Sequence, residues 1–197
     1  MEIHKDLVKE LREKTNAGVM DCKKALAQSK GDLGSAVQIL KKKGVAVAEK
    51  KSQREASEGL IFSYIHMGGK IGVLLEINCE TDFVARNGIF QALAKDVALQ
   101  IAGSHPTPLY ISRDKIEPRV ASHARQEFEK EAAGKNPDAM KKIIEGKLEK
   151  YYQQICLLDQ PFIKDGNLTI QQLIQSKIAE LGENIVVRRF VRYQIGE

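Results

Sequence analysis

Residues 71–85 read IGVLLEINCETDFVA and change character near their middle. The apolar run 71–79 predicts a strand, and a helical pattern begins near Ala85. The polar residues between them place Phe83 at a corner, where its ring either turns back into the core or stands outward toward another protein. Because most Phe residues are buried, the residue type alone favours the core.

Two further runs rich in β-forming residues predict partners for this strand. Residues 59–66 come first, and the pair Gly68-Gly69 between the two runs is typical of a hairpin turn. Residues 184–193, near the end of the sequence, form the third run. We therefore expect an α+β fold in which a small antiparallel sheet of at least three strands is packed by helices.

Residues 1–54 predict a separate N-terminal module of three short helices and a linker. A break at residues 15–18 separates the first two helices, the third is expected to stop at Gly44, and residues 45–58 are expected to form a solvated helical linker. The residues expected to face the interior of the module are Ile3, Leu7, Val8, Leu11, Cys22, Ala25, Leu26, Leu33, Ala36, Val37 and Leu40.

Two residues mark the turn between the second and third helices. Gly31 is expected at the C′ position that ends the second helix, where glycine adopts left-handed geometry without a steric penalty. Asp32 is expected to cap the third helix through its carboxylate.

Residues 55–197 predict the α+β core. Within this core, a charged helical hairpin is expected at about 117–158, with Asn136 capping its second arm and Pro137 at the first helical position. A tight turn is expected at residues 164–167. The residues expected inside a long helix that follows the corner are Phe90, Leu93, Ala94, Val97 and Ile101.

The net charge of +5 is concentrated at the N-terminus. Residues 1–54 contain 13 Lys and Arg against 7 Asp and Glu. The run Lys41-Lys42-Lys43 is expected at a helix end, where the helix dipole favours cations, and we prefer this interpretation to nucleic-acid binding. Residues 1–54 also lack any aromatic side chain on which single-stranded bases could stack.

The sequence lacks the patterns that indicate a membrane span, a signal peptide, a disulfide framework or a common catalytic or metal-binding site. No apolar run approaches the roughly 18 residues that span a bilayer, and the N-terminus has no signal-peptide character. Cys22, Cys79 and Cys156 are far apart, which predicts neither a disulfide framework nor a zinc site. Phosphate-loop and metalloprotease motifs are absent. No catalytic, cofactor-binding or metal-binding residue is predicted, although a catalytic site can assemble from residues distant in sequence.

Three stretches resemble one family, elongation factor Ts, in the family's own order. Residues 7–26, LVKELREKTNAGVMDCKKAL, resemble its N-terminal signature. Residues 76–87, EINCETDFVARN, resemble its second signature, and residues 182–190, GENIVVRRF, resemble the closing strand of its core. Asn16 stands where the family usually has Gly, and Asn tolerates the left-handed geometry that Gly supplies.

The resemblance implies a nucleotide-exchange factor for elongation factor Tu, the GTPase that carries aminoacyl-tRNA to the ribosome, rather than an enzyme. It implies that Thr81, Asp82, Phe83 and Val84 insert between helices of the GTPase domain and displace Mg²⁺ from the nucleotide site. Thr81 is the better N-cap candidate, and Val84 is expected to back the ring. Asp82 either orients the corner through backbone N–H groups or contacts the partner directly.

The resemblance also implies a second contact surface and an assembly. The N-terminal module would be a ubiquitin-associated-like bundle with Lys9, Arg12, Val19 and Met20 against the GTPase domain. From the residues alone, Lys9 and Arg12 fit an ordinary solvated helix face. Short family members imply a homodimer formed through the sheet that contains Ile185–Tyr193. We expect a cytoplasmic protein, bacterial or organelle-encoded, without a cofactor, a membrane contact or direct nucleic-acid binding.

Overall fold

The computed structural model describes residues 4–15 and 17–196, and only the backbone of Met67. Ile3 and Asn16, for which the sequence predicted a helix face and a left-handed turn, lie outside the described residues. Within the described residues the fold is α+β, as predicted, with eight α-helices and a three-stranded antiparallel sheet. The helices are α1 (Lys5–Thr15), α2 (Val19–Gln28), α3 (Leu33–Lys51), α4 (Asp82–Ala85), α5 (Gly88–Gly103), α6 (Pro118–Ala132), α7 (Pro137–Ile155) and α8 (Ile170–Leu181). The strands are β1 (Glu58–Ile65), β2 (Ile71–Cys79), β3 (Pro161–Phe162), β4 (Asp165–Thr169) and β5 (Ile185–Gln194).

The chain divides into two compact units, each assembled from several segments. Unit 1 contains the N-terminal helices, the end of β2 with α4, and most of α8. Unit 2 contains the α6–α7 hairpin and the β3–β4 pair. The segments of unit 1 are Met1–Ile61, Glu76–Ala94 and Gln172–Val186, and those of unit 2 are Phe62–Leu75, Lys95–Gln171 and Val187–Glu197.

Helices α1 to α3 enclose a hydrophobic cluster of their own, which confirms the predicted interior of the module. Its buried members are Leu11, Cys22, Ala25, Leu26, Ala36 and Leu40, and its half-buried members include Leu7, Val8, Leu33 and Val37. The carboxylate of Asp32 accepts a hydrogen bond from the Ser35 backbone N–H at 2.7 Å, as expected of an N-cap. The C′ residue before it is Lys30 (φ 53°), one position earlier than predicted, and Gly31 follows at C″.

The third helix does not stop at Gly44, and this prediction was wrong. Helix α3 continues to Lys51, because a glycine inside a helix costs only about 1 kcal/mol and ends it only where the backbone turns left-handed. A Cβ on Gly44 would lie 3.9 Å from the Ala179 Cβ, so α3 passes close to α8 at this point. Ala48 is buried as well, so residues 45–51 are a packed helix and not a solvated linker. The rest of the predicted helical linker, residues 52–57, is a turn and an irregular segment before β1.

The longer helix also changes the position of the basic run. Lys41, Lys42 and Lys43 lie in the middle of α3, so the helix dipole does not explain them. The Lys43 ammonium instead pairs with the Asp21 carboxylate of α2.

The three-stranded sheet has the order β1–β2–β5 and places β2 at its centre. Alternate side chains of β2 face the core, and those of Val73, Leu75 and Ile77 are at most 2% exposed, whereas Leu74 is 48% exposed. Gly68 and Gly69 both have positive φ in the turn that joins β1 to β2, as the hairpin prediction required.

The helix after the corner and the charged hairpin both follow the prediction. The inward residues of α5 are all buried, and α5 ends at Gly103. Asn136 caps α7 by accepting a hydrogen bond from the Ala139 N–H at 2.8 Å, with Pro137 at the first helical position. The α6–α7 hairpin has its own apolar contacts, which include Ala132, Ile144 and Leu148.

The β3–β4 pair was not predicted. Its two antiparallel strands enclose a turn at residues 163–164, so residues 165–167 belong to β4 and not to the predicted turn. With only two and five residues, these strands are too short to show a two-residue hydrophobic alternation.

Candidate partner-binding site

The corner after β2 is built around one hydroxyl group. The Thr81 Oγ1 accepts a hydrogen bond from the Val84 N–H at 3.4 Å, which makes Thr81 the N-cap of α4, as the sequence indicated. The Cys79 thiol donates to the Thr81 carbonyl oxygen at 3.1 Å, so the end of β2 is tied to the start of the helix. Asn87 then caps α5, because its Oδ1 accepts from the Ile89 N–H at 2.8 Å.

The ring of Phe83 lies outside the core. Its side chain is 78% exposed, whereas the next two residues, Val84 and Ala85, are 5% and 8% exposed. The residue-type expectation of a buried ring was therefore wrong, and the outward orientation implied by the family resemblance is the one found. Val84 anchors the short helix to the core.

Asp82 faces solvent beside Phe83. Its carboxylate pairs with the Arg86 guanidinium at 3.0 Å, four residues further on, and remains 65% exposed. Thr81 supplies the N-cap side chain, so Asp82 occupies the first helical position. The positive end of the helix dipole stabilises a negative charge there. This arrangement leaves the carboxylate accessible to a partner.

Sequence reasoning missed one residue that holds the corner. The Glu183 carboxylate, which precedes β5, accepts hydrogen bonds from the backbone and hydroxyl of Thr81. The two residues are 102 positions apart, and no local pattern signals such a contact. The only available signal was that Glu183 falls inside a stretch of family resemblance.

The second set of predicted contact residues lies on the N-terminal helices of the same unit. Lys9 and Arg12 are exposed on α1, three residues apart and therefore on one helix face. Val19 and Met20 are the first two residues of α2 and are 49% and 64% exposed. The structure therefore presents all four side chains to solvent.

A cleft of about 480 Å³ in unit 2 is lined by amide side chains. The buried Gln100 donates to Ser104, to the Gln160 side chain and to the Pro161 carbonyl, and its own carbonyl accepts from the Ile163 N–H at 2.8 Å. These amides hold the residues before and after β3 in place. The hydrogen bonds of the Gln100 and Gln160 amides are therefore made to the protein.

The three cysteines are free and buried. Burial raises the pKa of the Cys79 thiol to about 11, with a smaller contribution from the negative charge of Glu183, and burial likewise raises the pKa of Cys156 to about 11. Thiols with such pKa values stay protonated near neutral pH and are poor nucleophiles. Across residues 4–15 and 17–196, no group of three or more His, Cys, Asp or Glu side chains is placed to hold a metal ion.

Within the described part of the chain, no helix is both long enough and apolar enough to cross a membrane.

Comparison with known proteins gives one consistent family. The family model described as Elongation factor TS matches residues 2–197. Proteins described as elongation factor Ts match over the full chain: that of Thermodesulfovibrio yellowstonii is 56% identical over 198 residues (100% of this chain and 98% of the relative). Those of Synechocystis and of an Anaeromyxobacter species are 54% and 52% identical over 198 residues (100% of this chain and 90% of each relative).

These matches place the chain among the translation elongation factors. It belongs to the elongation factor Ts family.

Proposed function

We propose that the chain is a guanine-nucleotide exchange factor that acts on elongation factor Tu in the cytoplasm. It would bind the GDP complex of Tu, promote GDP release by displacing Mg²⁺, and so allow GTP to enter during translation elongation. The observation that carries the proposal is the Phe83 ring, which is 78% exposed on a capped corner in a chain of this family.

An exposed aromatic ring can contribute binding free energy when a partner protein buries it. Moving a ring of this size out of water is worth about 2–3 kcal/mol. GTPases hold GDP through a phosphate loop and a Mg²⁺ ion that offsets the phosphate charge. If Phe83 fits only a partner shape in which those groups are displaced, its burial favours that shape and weakens nucleotide binding.

Linkage makes the effect reciprocal. A factor that lowers the affinity of Tu for GDP by a given ratio is itself bound less tightly, by the same ratio, when GDP is bound, and the same reciprocity holds separately for GTP. Entry of GTP therefore dissociates the factor. The cycle requires no covalent chemistry from this chain.

The second contact would come from α1 and α2. Met20 and Val19 offer exposed apolar surface, and Lys9 and Arg12 offer positive charge on the neighbouring helix. We infer that this ubiquitin-associated-like bundle docks on the GTPase domain and brings the corner into reach. Charges at the edge of an interface mainly affect the association rate and its salt dependence.

We also propose that two copies of the chain assemble through the three-stranded sheet. Apolar side chains on all three strands are exposed, including Ile65, Leu74 and Tyr193 at 67%, 48% and 72%. β5 is an edge strand, and unpaired edges favour pairing with another chain. A homodimer would cover this surface and part of Arg188, Arg189 and Arg192.

The decisive assay for this function is the release of labelled GDP from purified elongation factor Tu in the presence of excess unlabelled nucleotide. We expect a catalytic amount of this chain to accelerate release, with a rate that saturates as its concentration rises. Release that is no faster than spontaneous dissociation would contradict the proposal.

A further inference from the structure

Glu183 lies at the junction between α8 and β5. It follows Gly182, whose positive φ of 78° ends the helix, and it is half-buried. Its carboxylate accepts three hydrogen bonds from the segment that leads into the corner. The Oε2 atom accepts from the backbone N–H groups of Glu80 at 3.1 Å and Thr81 at 3.0 Å, and Oε1 accepts from the Thr81 hydroxyl at 2.6 Å.

The contact with the hydroxyl fixes the cap of α4. A hydroxyl group has one proton, and a carboxylate offers only acceptors, so the Thr81 proton is directed at Glu183. The lone pairs of Oγ1 are thereby left for the Val84 N–H at 3.4 Å. Glu183 thus orients the group that starts the helix bearing Phe83.

A reciprocal contact holds the same junction from the other side. The Glu80 carboxylate accepts from the Asn184 backbone N–H at 2.6 Å and pairs with Arg54 at 3.5 Å. Asn184 is only 3% exposed, and its side chain donates to the Arg54 carbonyl oxygen at 2.8 Å. Each of the two segments therefore supplies a glutamate that binds the backbone of the other.

The helix that carries Phe83 depends on such support. α4 has four residues, and so short a helix is not stable through its own hydrogen bonds. The ring itself is exposed and makes little contact that would hold it in place. Burial of Val84 holds the helix against the core, and the contact to Thr81 adds a second attachment at the start of the helix, which helps to fix the ring's direction.

We propose that Glu183 is a positioning residue for nucleotide exchange: by binding Thr81, it presets the direction of Phe83 before the partner is met. The inference rests on the proposed exchange function. A ring that is already placed loses less conformational freedom when it inserts than a ring on a frayed turn.

The test compares Glu183→Gln with the wild-type chain in GDP release from elongation factor Tu over a range of factor concentrations. The amide of Gln keeps one acceptor oxygen but turns a donor toward groups that are themselves donors. We expect the maximal release rate at saturation to fall by roughly tenfold, while the half-saturating concentration stays within about twofold of the wild-type value. A variant that is only partly folded would behave differently, because fewer active molecules raise the apparent half-saturating concentration and leave the maximal rate unchanged.

Two further variants separate this contact from a general loss of charge. Thr81→Val has a similar shape without the hydroxyl and should lose about as much as Glu183→Gln. Glu180→Gln is the matched control, because the Glu180 carboxylate pairs with Lys177 on α8 at 2.7 Å, and this variant should keep the maximal rate. Because Thr81→Val and Glu183→Gln break the same contact, the double variant should lose little more than either single one.

The outcomes separate this inference from the function on which it rests. A wild-type chain that fails to accelerate GDP release overturns both. If the wild type is active and Phe83→Ala is not, a Glu183→Gln maximal rate equal to that of the wild type overturns the positioning role alone. Equal losses in Glu183→Gln and Glu180→Gln would overturn it as well.

Discussion

Phe83 and Val84 are neighbours in the chain, yet their side chains are 78% and 5% exposed. The valine fastens a four-residue helix to the core, and the phenylalanine projects from that helix into solvent. An aromatic ring held outward on an anchored turn is suited to insertion into another protein, which is the basis of the exchange mechanism proposed above.

The charged residues of α1 should affect the encounter with elongation factor Tu more than the exchange step. We expect the double substitution Lys9→Ala and Arg12→Ala to raise the half-saturating concentration by roughly twofold to thirtyfold, because exposed ion pairs contribute about 0.2–1 kcal/mol each. The effect should shrink at high salt, where exposed charges are screened. GDP-release titrations at two salt concentrations measure it, with Lys50→Ala as a control that removes an exposed charge from α3. An unchanged half-saturating concentration at low salt would contradict the docking surface.

The exposed sheet predicts the oligomeric state. Sedimentation at micromolar concentration should show a dimer of the wild-type chain and a monomer of Tyr193→Glu, since an unpaired charge buried in an apolar interface is costly. Leu109→Glu is the control, because Leu109 is similarly exposed at 68% but lies outside the sheet. A wild-type monomer at this concentration would refute the sheet-mediated dimer.

The buried thiols predict a loss of stability at alkaline pH. Cys79 and Cys156 have folded-state pKa values of about 11, raised from 9.0 by burial, so the folded chain holds these protons after the unfolded chain has released them. Their contribution to stability is complete below about pH 9 and declines as the pH rises toward about 11. Denaturant unfolding measured at several pH values should therefore show a shallower decline for Cys156→Ala than for the wild type. Equal slopes would indicate that the Cys156 proton contributes nothing.

The sequence predicts the fold correctly where interactions between residues close in the chain determine the structure. The hairpin follows from Gly68 and Gly69 between two β-rich runs. The caps at Asp32 and Asn136 follow from side-chain oxygens that accept hydrogen bonds from the free N–H groups at the start of a helix. The stop at Gly44 was predicted wrongly because the packing of α3 near Ala179 outweighs the weak helix propensity of glycine.

Local sequence patterns predicted less of the candidate partner-binding site. The type of residue 83 favours burial, and only the family resemblance indicated an outward ring. The contact of Glu183 with Thr81 joins segments 102 residues apart, and no local pattern could reveal it. Periodicity indicates which side of an element faces the core, but not which distant backbone N–H groups a carboxylate will bind.

The most direct measurement of the central claim is the maximal rate of GDP release from elongation factor Tu with Phe83→Ala. Because the ring is 78% exposed, we expect the free energy of unfolding to change by no more than about 0.5 kcal/mol. The maximal release rate should fall by roughly thirtyfold, which corresponds to about 2 kcal/mol of lost ring burial. Leu109→Ala, which removes an apolar side chain of similar exposure elsewhere, should release GDP at the wild-type rate. A folded Phe83→Ala protein that stimulates GDP release as well as the wild type would contradict the account.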